Sequence, residues 1–301
     1  MKFDDNARID EGDVQDIRGA GPARGRAGGG AAMRLGGGGV GIAVIVMIIA
    51  KLTGVDLSAL LGGGGGAAPA SRGQAAPSAQ SNQAAPPAND PDPRQTKFIK
   101  QTMTDIQDTF DAAFREHNLQ YQRATLVLFT QAVDTGCGLS SSEIGPFYCP
   151  PDSKAYIDLT FFDELHRRFG APGDFAQAYV LAHEIGHHLQ NLLNVEEAAR
   201  RVRGKSKNEI SVMQELQADC YAGVWGNSAK RRGILDMGDL EEAITAAQAI
   251  GDDRLQKQAG MRPNAETFTH GTSAQRMKWF RVGYDSGKLD SCDTFAPGAA
   301  L

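Results

Sequence analysis

The sequence predicts an α+β fold, a mostly helical domain with a small sheet, preceded by one transmembrane helix and a flexible linker. Three observations carry this expectation. An uncharged aliphatic stretch stands near the N-terminus, a tract rich in Gly, Ala and Pro without large apolar residues follows it, and helix-like and strand-like patterning begins at about residue 96. The 301 residues suffice for one substantial domain plus accessory segments. A net charge of -5 offers no basic footprint for phosphate backbones, so nucleic acid is not an expected partner.

Residues 1–34 are polar, rich in Gly and Asp, with Arg18, Arg24, Arg26 and Arg34 leading toward the apolar stretch. This composition predicts a disordered tail. Residues 35–61 read as a transmembrane anchor and its interface. Leu35 to Ala50 carries no charge, Val40 to Ala50 is almost wholly aliphatic, and Lys51 would snorkel while Leu52 to Leu61 continues into the far interface. At about 1.5 Å per residue the uncharged stretch covers about 24 Å of a hydrocarbon core of about 30 Å. The only good signal-peptidase site, Ala68-Pro69-Ala70, lies far downstream, so an uncleaved anchor is expected. The arginines before the stretch place the N-terminus in the cytoplasm and the rest of the chain outside.

Residues 62–95 read as a linker, and 96–301 as the folded domain. Phe98, Met103, Ile106, Phe110 and Phe114 recur at helical spacing, and Ala124 to Phe129 suits a buried strand. Tyr156 to Phe161 is expected as a second strand, at the edge of the sheet. Pro172-Gly173-Asp174 opens a long helix to about Leu193 with Asp174 as N-cap, and Ser206 to Glu209 is a capping-box pattern for a helix to about Trp225. Two later helices are expected over Gly238 to Gly251 and Ser273 to Tyr284.

The chemistry concentrates in His183-Glu184-Ile185-Gly186-His187. Histidines four apart on a helix share a face, and two imidazoles one turn apart supply neutral nitrogen donors for one Zn2+. Glu184 is rotated off the metal axis, where a carboxylate takes a proton from the metal's water rather than binding the metal. A second helix offers Glu215 and Asp219, again one turn apart. A catalytic zinc site wants three protein ligands and an open position, which makes Glu215 the candidate third ligand and Asp219 the group that fixes a ligand histidine's tautomer. The reverse assignment stays open. His188 points about 100° from His187 and is expected to support the site or face solvent, while His117 and His166 default to the surface.

Cys137, Cys149, Cys220 and Cys292 show no CxxC spacing, and an anchor would expose them to an oxidising compartment. The expected pairs are Cys137 with Cys149 and Cys220 with Cys292, against the alternative of four buried thiols.

Several segments together resemble the bacterial neutral zinc metallopeptidases, the YpfJ-like proteins. They are Lys2-Phe3-Asp4-Asp5, the apolar segment, Gly145 to Pro150, Tyr156 to Leu159, His183 to His188, Glu215 to Cys220 and His270 to Arg276. The resemblance implies a zincin-like fold for 96–301 and a metallopeptidase, hence a Zn2+ cofactor and a peptide or protein substrate; with the anchor and its arginines, the expected place is the bacterial inner membrane, with the catalytic domain periplasmic or extracytoplasmic. Thr269-His270 also resembles a segment of other membrane-associated peptidases, which makes His270 a candidate transition-state stabiliser; capping of the next helix is its structural alternative. A different class of reading is a membrane-tethered assembly factor that keeps a zinc site and cleaves little or nothing. Glu184 argues against it, because a purely structural site has no use for a base.

Overall fold

The computed structural model describes residues 1–4, 6–19, 90–299 and 301. Its main sheet has four strands in the order β1 (Val14–Asp16), β2 (Thr125–Leu128), β6 (Lys154–Ile157) and β5 (Phe147–Cys149). The first three are parallel and β5 runs antiparallel to β6. A separate hairpin joins β3 (Ala132–Thr135) to β4 (Gly138–Ser141). The disulfide Cys137–Cys149 ties this hairpin to β5.

Helix α1 (Pro93–Glu116) begins where the Asp92 side chain accepts the N–H groups of Arg94 and Gln95, with Pro93 at the first turn, where its missing donor costs nothing. It starts inside the segment read as linker. Its buried stripe is Ile99, Met103, Ile106, Phe110 and Phe114, and Phe98 packs against the same core while partly exposed. That stripe shares one core with Leu126, Leu128, Ala155 and Ile157 of the sheet.

Two strand expectations need correction. The Tyr156 to Phe161 segment stops being a strand at Ile157, and α2 (Thr160–Arg167) follows, because the Asp158 carboxylate accepts the N–H and hydroxyl of Thr160 and turns the chain. Moreover, β6 is interior, and the edges of the sheet are β1 and β5.

Helix α3 (Asp174–Leu192) carries the HExxH run. Asp174 is its first residue and not its cap. The residue before it, Gly173, makes no side-chain cap, and the Phe175 N–H instead donates to the Glu242 carboxylate at 3.1 Å. Glu242 comes from α6 (Asp239–Ala249), so a neighbouring helix supplies the anion that complements the helix N-terminus. Helix α4 (Val195–Arg201) follows. Helix α5 (Lys207–Arg231) opens with the full Ser206/Glu209 capping box and runs past Trp225. After α6 and the short α7 (Asp252–Gln258), helix α8 (Ser273–Ser286) is capped by Thr272 with Gln275, so the capping alternative for His270 does not apply. Helices α5 and α8 touch backbone to backbone. A Cβ on Gly223 would lie 2.0 Å from the Phe280 carbonyl oxygen, and one on Gly283 would lie 1.9 Å from that of Cys220.

The N-terminal expectation is overturned for residues 1–19. Rather than a disordered tail, they contribute β1, which pairs in register with β2 from Val14–Leu126 to Asp16–Leu128. Ion pairs finish the docking: Asp13 accepts from Arg123 at 2.6 and 2.7 Å, and the Met1 ammonium reaches Asp239 at 3.1 Å. The buried Arg18 guanidinium bonds Asp16 at 2.6 Å, Asp90 at 3.2 Å and Thr96 at 3.0 Å. Arg18 thus clasps the two ends of the intervening chain. The sequence looked disordered because its partners lie about a hundred residues away and leave no local pattern.

The anchor read at 35–61 and the linker up to residue 89 lie outside the described residues. Among the described residues no helix is long and apolar enough to cross a membrane. The pairing of β1 with β2 places Val14–Asp16 in the same sheet as the rest of the domain.

Candidate metal centre

Helices α3 and α5 are brought together at Gly186. A Cβ there would stand 2.9 Å from the Cα and carbonyl oxygen of Ala218, so the glycine inside the HExxH run admits the second helix. Glu215 and Asp219, one turn apart on α5, then face His183 and His187 on α3.

The two imidazoles present the same nitrogen inward. His183 Nε2 lies 3.2 Å from Glu215 Oε2, and His187 Nε2 lies 3.5 Å from Glu215 Oε1. Their outer nitrogens are both occupied. His183 Nδ1 meets Asp219 Oδ1 at 2.9 Å, and His187 Nδ1 meets Gln190 Oε1 at 2.9 Å. Because Asp219 and Gln190 both offer an oxygen, the neutral form of each ring places its proton on Nδ1 and leaves the Nε2 lone pair for a metal.

The donor set fits a zinc ion. The ligand atoms of His183, His187 and Glu215 all lie within 4.8 Å of one another. Tetrahedral bonds of about 2.0–2.1 Å place ligand atoms about 3.4 Å apart, close to the two separations seen. Two imidazoles and one carboxylate, with a position left open, are the donor chemistry of catalytic zinc.

Asp219 is fully buried and densely bonded. Arg276 Nε and Nη2 donate to its two oxygens at 2.8 and 2.9 Å, and the Tyr179 hydroxyl donates at 2.5 Å. Burial alone would push this carboxyl up, but Arg276 and His183 outweigh burial and hold it below its usual value. For Glu215 burial is again the largest influence, overcome by His270, His187 and His183, which hold it well below the carboxylate range. The His183 imidazole is pushed down by burial, yet Asp219 and Glu215 prevail and its pKa stands at about 9 without metal. Burial raises Glu184 above its ordinary value, against the pull of His183 and His187. A carboxyl raised in this way moves toward the range that suits a general base at neutral pH.

His270 also belongs to this neighbourhood, since the Glu215 charge contributes to raising its pKa against burial. Its Nδ1 lies 3.2 Å from Asp252 Oδ1 and 3.0 Å from Thr269 Oγ1. The other oxygen of Asp252 accepts the backbone N–H groups of Thr269, His270 and Gly271 at 2.7, 2.7 and 3.1 Å. Asp252 therefore fixes both the turn and the ring.

His188 neither supports the metal ligands nor faces solvent. It is fully buried, with Nε2 2.6 Å from the Gln122 carbonyl and Nδ1 2.9 Å from the Tyr148 hydroxyl, and it joins α3 to β5. His117 is exposed and 3.5 Å from Asp290, and His166 is exposed. The cysteines form the two expected bonds, Cys137–Cys149 and Cys220–Cys292.

Sequence reasoning missed Gln190, Gln217, Asp252 and Tyr179. Gln190 had a signal, since it follows His187 by three residues on the same helix. Arg276 stood inside the His270 to Arg276 motif without a role of its own.

Comparison with known proteins agrees with this donor set. The family model for the "Putative neutral zinc metallopeptidase" matches residues 1–295. The chain is 44% identical over 272 residues to the Escherichia coli (strain K12) "Uncharacterized protein YpfJ", covering 89% of this chain and 90% of that one. It is also 44% identical over 215 residues to the Mycobacterium tuberculosis "Uncharacterized protein Rv2575", covering 66% and 72%. No solved structure matches it significantly. A family match that begins at residue 1 includes the N-terminal strand as well as the two metal-facing helices, and the chain belongs to the putative neutral zinc metallopeptidase family.

Proposed function

We propose that the protein is a zinc-dependent peptidase held at a bacterial cell membrane through residues 35–61, with both flanks of that segment on one face. The observation that carries the catalytic part is the convergence of two Nε2 lone pairs and the Glu215 carboxylate, each imidazole locked from behind. His183, His187 and Glu215 would hold the metal. When bound, zinc supplies a Lewis acid and lowers the pKa of a water toward about 7.

The other steps belong to the chain's own groups. Glu184 accepts the water's proton and returns it to the leaving amine. Asp219 keeps His183 in its Nδ1–H tautomer, and Arg276 holds Asp219 as a carboxylate. His270, oriented by Asp252 and held toward its protonated form by Glu215 and Asp252, donates from Nε2 to the developing oxyanion. An extended peptide pairs its backbone with the outer edge of β5, which Tyr148 ties to α3 through His188. The two disulfides favour an oxidising, extracytoplasmic compartment for the domain.

The test is zinc content and hydrolysis of an unfolded protein substrate by the purified full chain, with and without Glu184→Gln. The variant should keep one zinc while turnover falls by about 10²–10⁴-fold. Full zinc with undiminished turnover would reject Glu184 as the base. Stoichiometric zinc without any hydrolysis by the native chain would favour the assembly-factor reading.

A further inference from the structure

The two ligand histidines are backed differently, and the difference leads to the C-terminal disulfide. Behind His183 stands a carboxylate. Behind His187 stands the neutral amide of Gln190, whose orientation is forced. Its Nε2 donates to the Gln214 carbonyl at 2.6 Å and to Gln217 Oε1 at 3.1 Å, so its oxygen is the atom left to face His187 Nδ1. A flipped amide would set its oxygen against two acceptors. Gln217 is fixed in turn, because its Nε2 donates to the Cys292 carbonyl at 3.0 Å. Both residues are largely buried, at 6% and 5% exposure. At the end of the chain of bonds, Cys292 is covalently held to Cys220 on α5, one turn beyond Gln217.

We infer that Gln190 and Gln217 are positioning residues for His187 and that the Cys220–Cys292 disulfide anchors them, so the centre's zinc affinity depends on that disulfide. This rests on the reading of His187 as a zinc ligand. The physical reason is directional. Without the Cys292 carbonyl, Gln217 loses the partner that fixes its amide, Gln190 is left with the Gln214 carbonyl as its one remaining hold, and the looser amide defines His187 Nδ1–H less strictly, which weakens the orientation of Nε2 toward a metal. A cavity of about 210 Å³ lined by Gln217, Tyr221 and Cys292 gives the segment room to shift once it is untied.

The experiment is zinc titration of the purified full chain against a chromophoric chelator at fixed pH, alongside thermal unfolding of the metal-free protein. Gln217→Ala should weaken zinc binding by about 10–100-fold. Gln217→Glu, which can still accept from Gln190 but meets the Cys292 carbonyl with an acceptor, should weaken it as well. The Cys220→Ala/Cys292→Ala pair should show a loss of similar size, and adding Gln217→Ala to it should cost no more. Cys137→Ala/Cys149→Ala should leave affinity unchanged. Gln217→Ala within twofold of the native affinity would overturn the inference, as would losses that multiply in the combined variant, or an equal loss from the Cys137–Cys149 pair. His187→Ala separates the two readings. If it abolishes binding while Gln217→Ala does nothing, only the relay falls; if it leaves binding intact, the ligand assignment falls with it.

Discussion

Arg276 closes on both oxygens of Asp219, at 2.8 and 2.9 Å, with the arginine 2% exposed and the aspartate not at all. A pair buried this deeply is not a cheap source of stability, because desolvating two charges costs about what their attraction returns. Breaking it is another matter. Arg276→Met should destabilise the fold by about 3–5 kcal/mol, since Asp219 would stay buried without its cation. Chemical denaturation of the metal-free protein measures this, and a loss below about 1 kcal/mol would show that Tyr179 and His183 suffice to hold the carboxylate.

The ligand and its support are separable on α5. Glu215→Ala leaves two imidazoles, and zinc occupancy should collapse at micromolar metal. Asp219→Asn keeps three ligands and should cost about 10–100-fold in affinity. Reversed losses in zinc titrations would exchange the two assignments.

His183 gives the metal-free protein a defined pH dependence. Its folded pKa of about 9 exceeds the ordinary 6.5, so its stabilising contribution is complete below about 6.5 and is lost as pH rises through about 9. Thermal melting of the metal-free chain should therefore move downward over that interval. Zinc needs the neutral imidazole, so apparent zinc affinity should rise over the same interval and level off near pH 9. A flat affinity profile between pH 6.5 and 9 would show that His183 binds no proton that zinc must displace.

The pairing of β1 with β2 makes a topological prediction. Cysteines introduced singly at the exposed positions Glu11→Cys and Met237→Cys should react equally with a membrane-impermeant thiol reagent on intact cells or spheroplasts. Labelling of one position alone would mean that the N-terminal strand and the domain lie on opposite faces and that β1 is not in the sheet.

The metal-facing residues were legible in the sequence because helical periodicity is a local property. Residues four apart share a face whatever the rest of the chain does, so His183 with His187 and Glu215 with Asp219 could be paired on paper. The capping box at Ser206 and the stripe of α1 were readable for the same reason. Tyr156 to Phe161 was misread where alternation ran on past Ile157, because the Asp158 side chain, rather than the hydrophobic pattern, ends the strand.

The sequence by itself determined the helix carrying HExxH, the helix carrying its acidic partner, the helix capping at Ser206 and the residue types able to hold zinc. Only the tertiary structure decided that Gly186 lets α5 approach α3, that Arg276 from α8 completes Asp219, that Asp252 orients His270, and that Gln217 links His187 to the last disulfide. It also decided that residues 14–16 are a strand. These relationships join positions from 18 to more than 100 residues apart, and their free energy comes from burial and from satisfying polar groups between elements. Such terms act only once the chain has folded, so no local spacing records them.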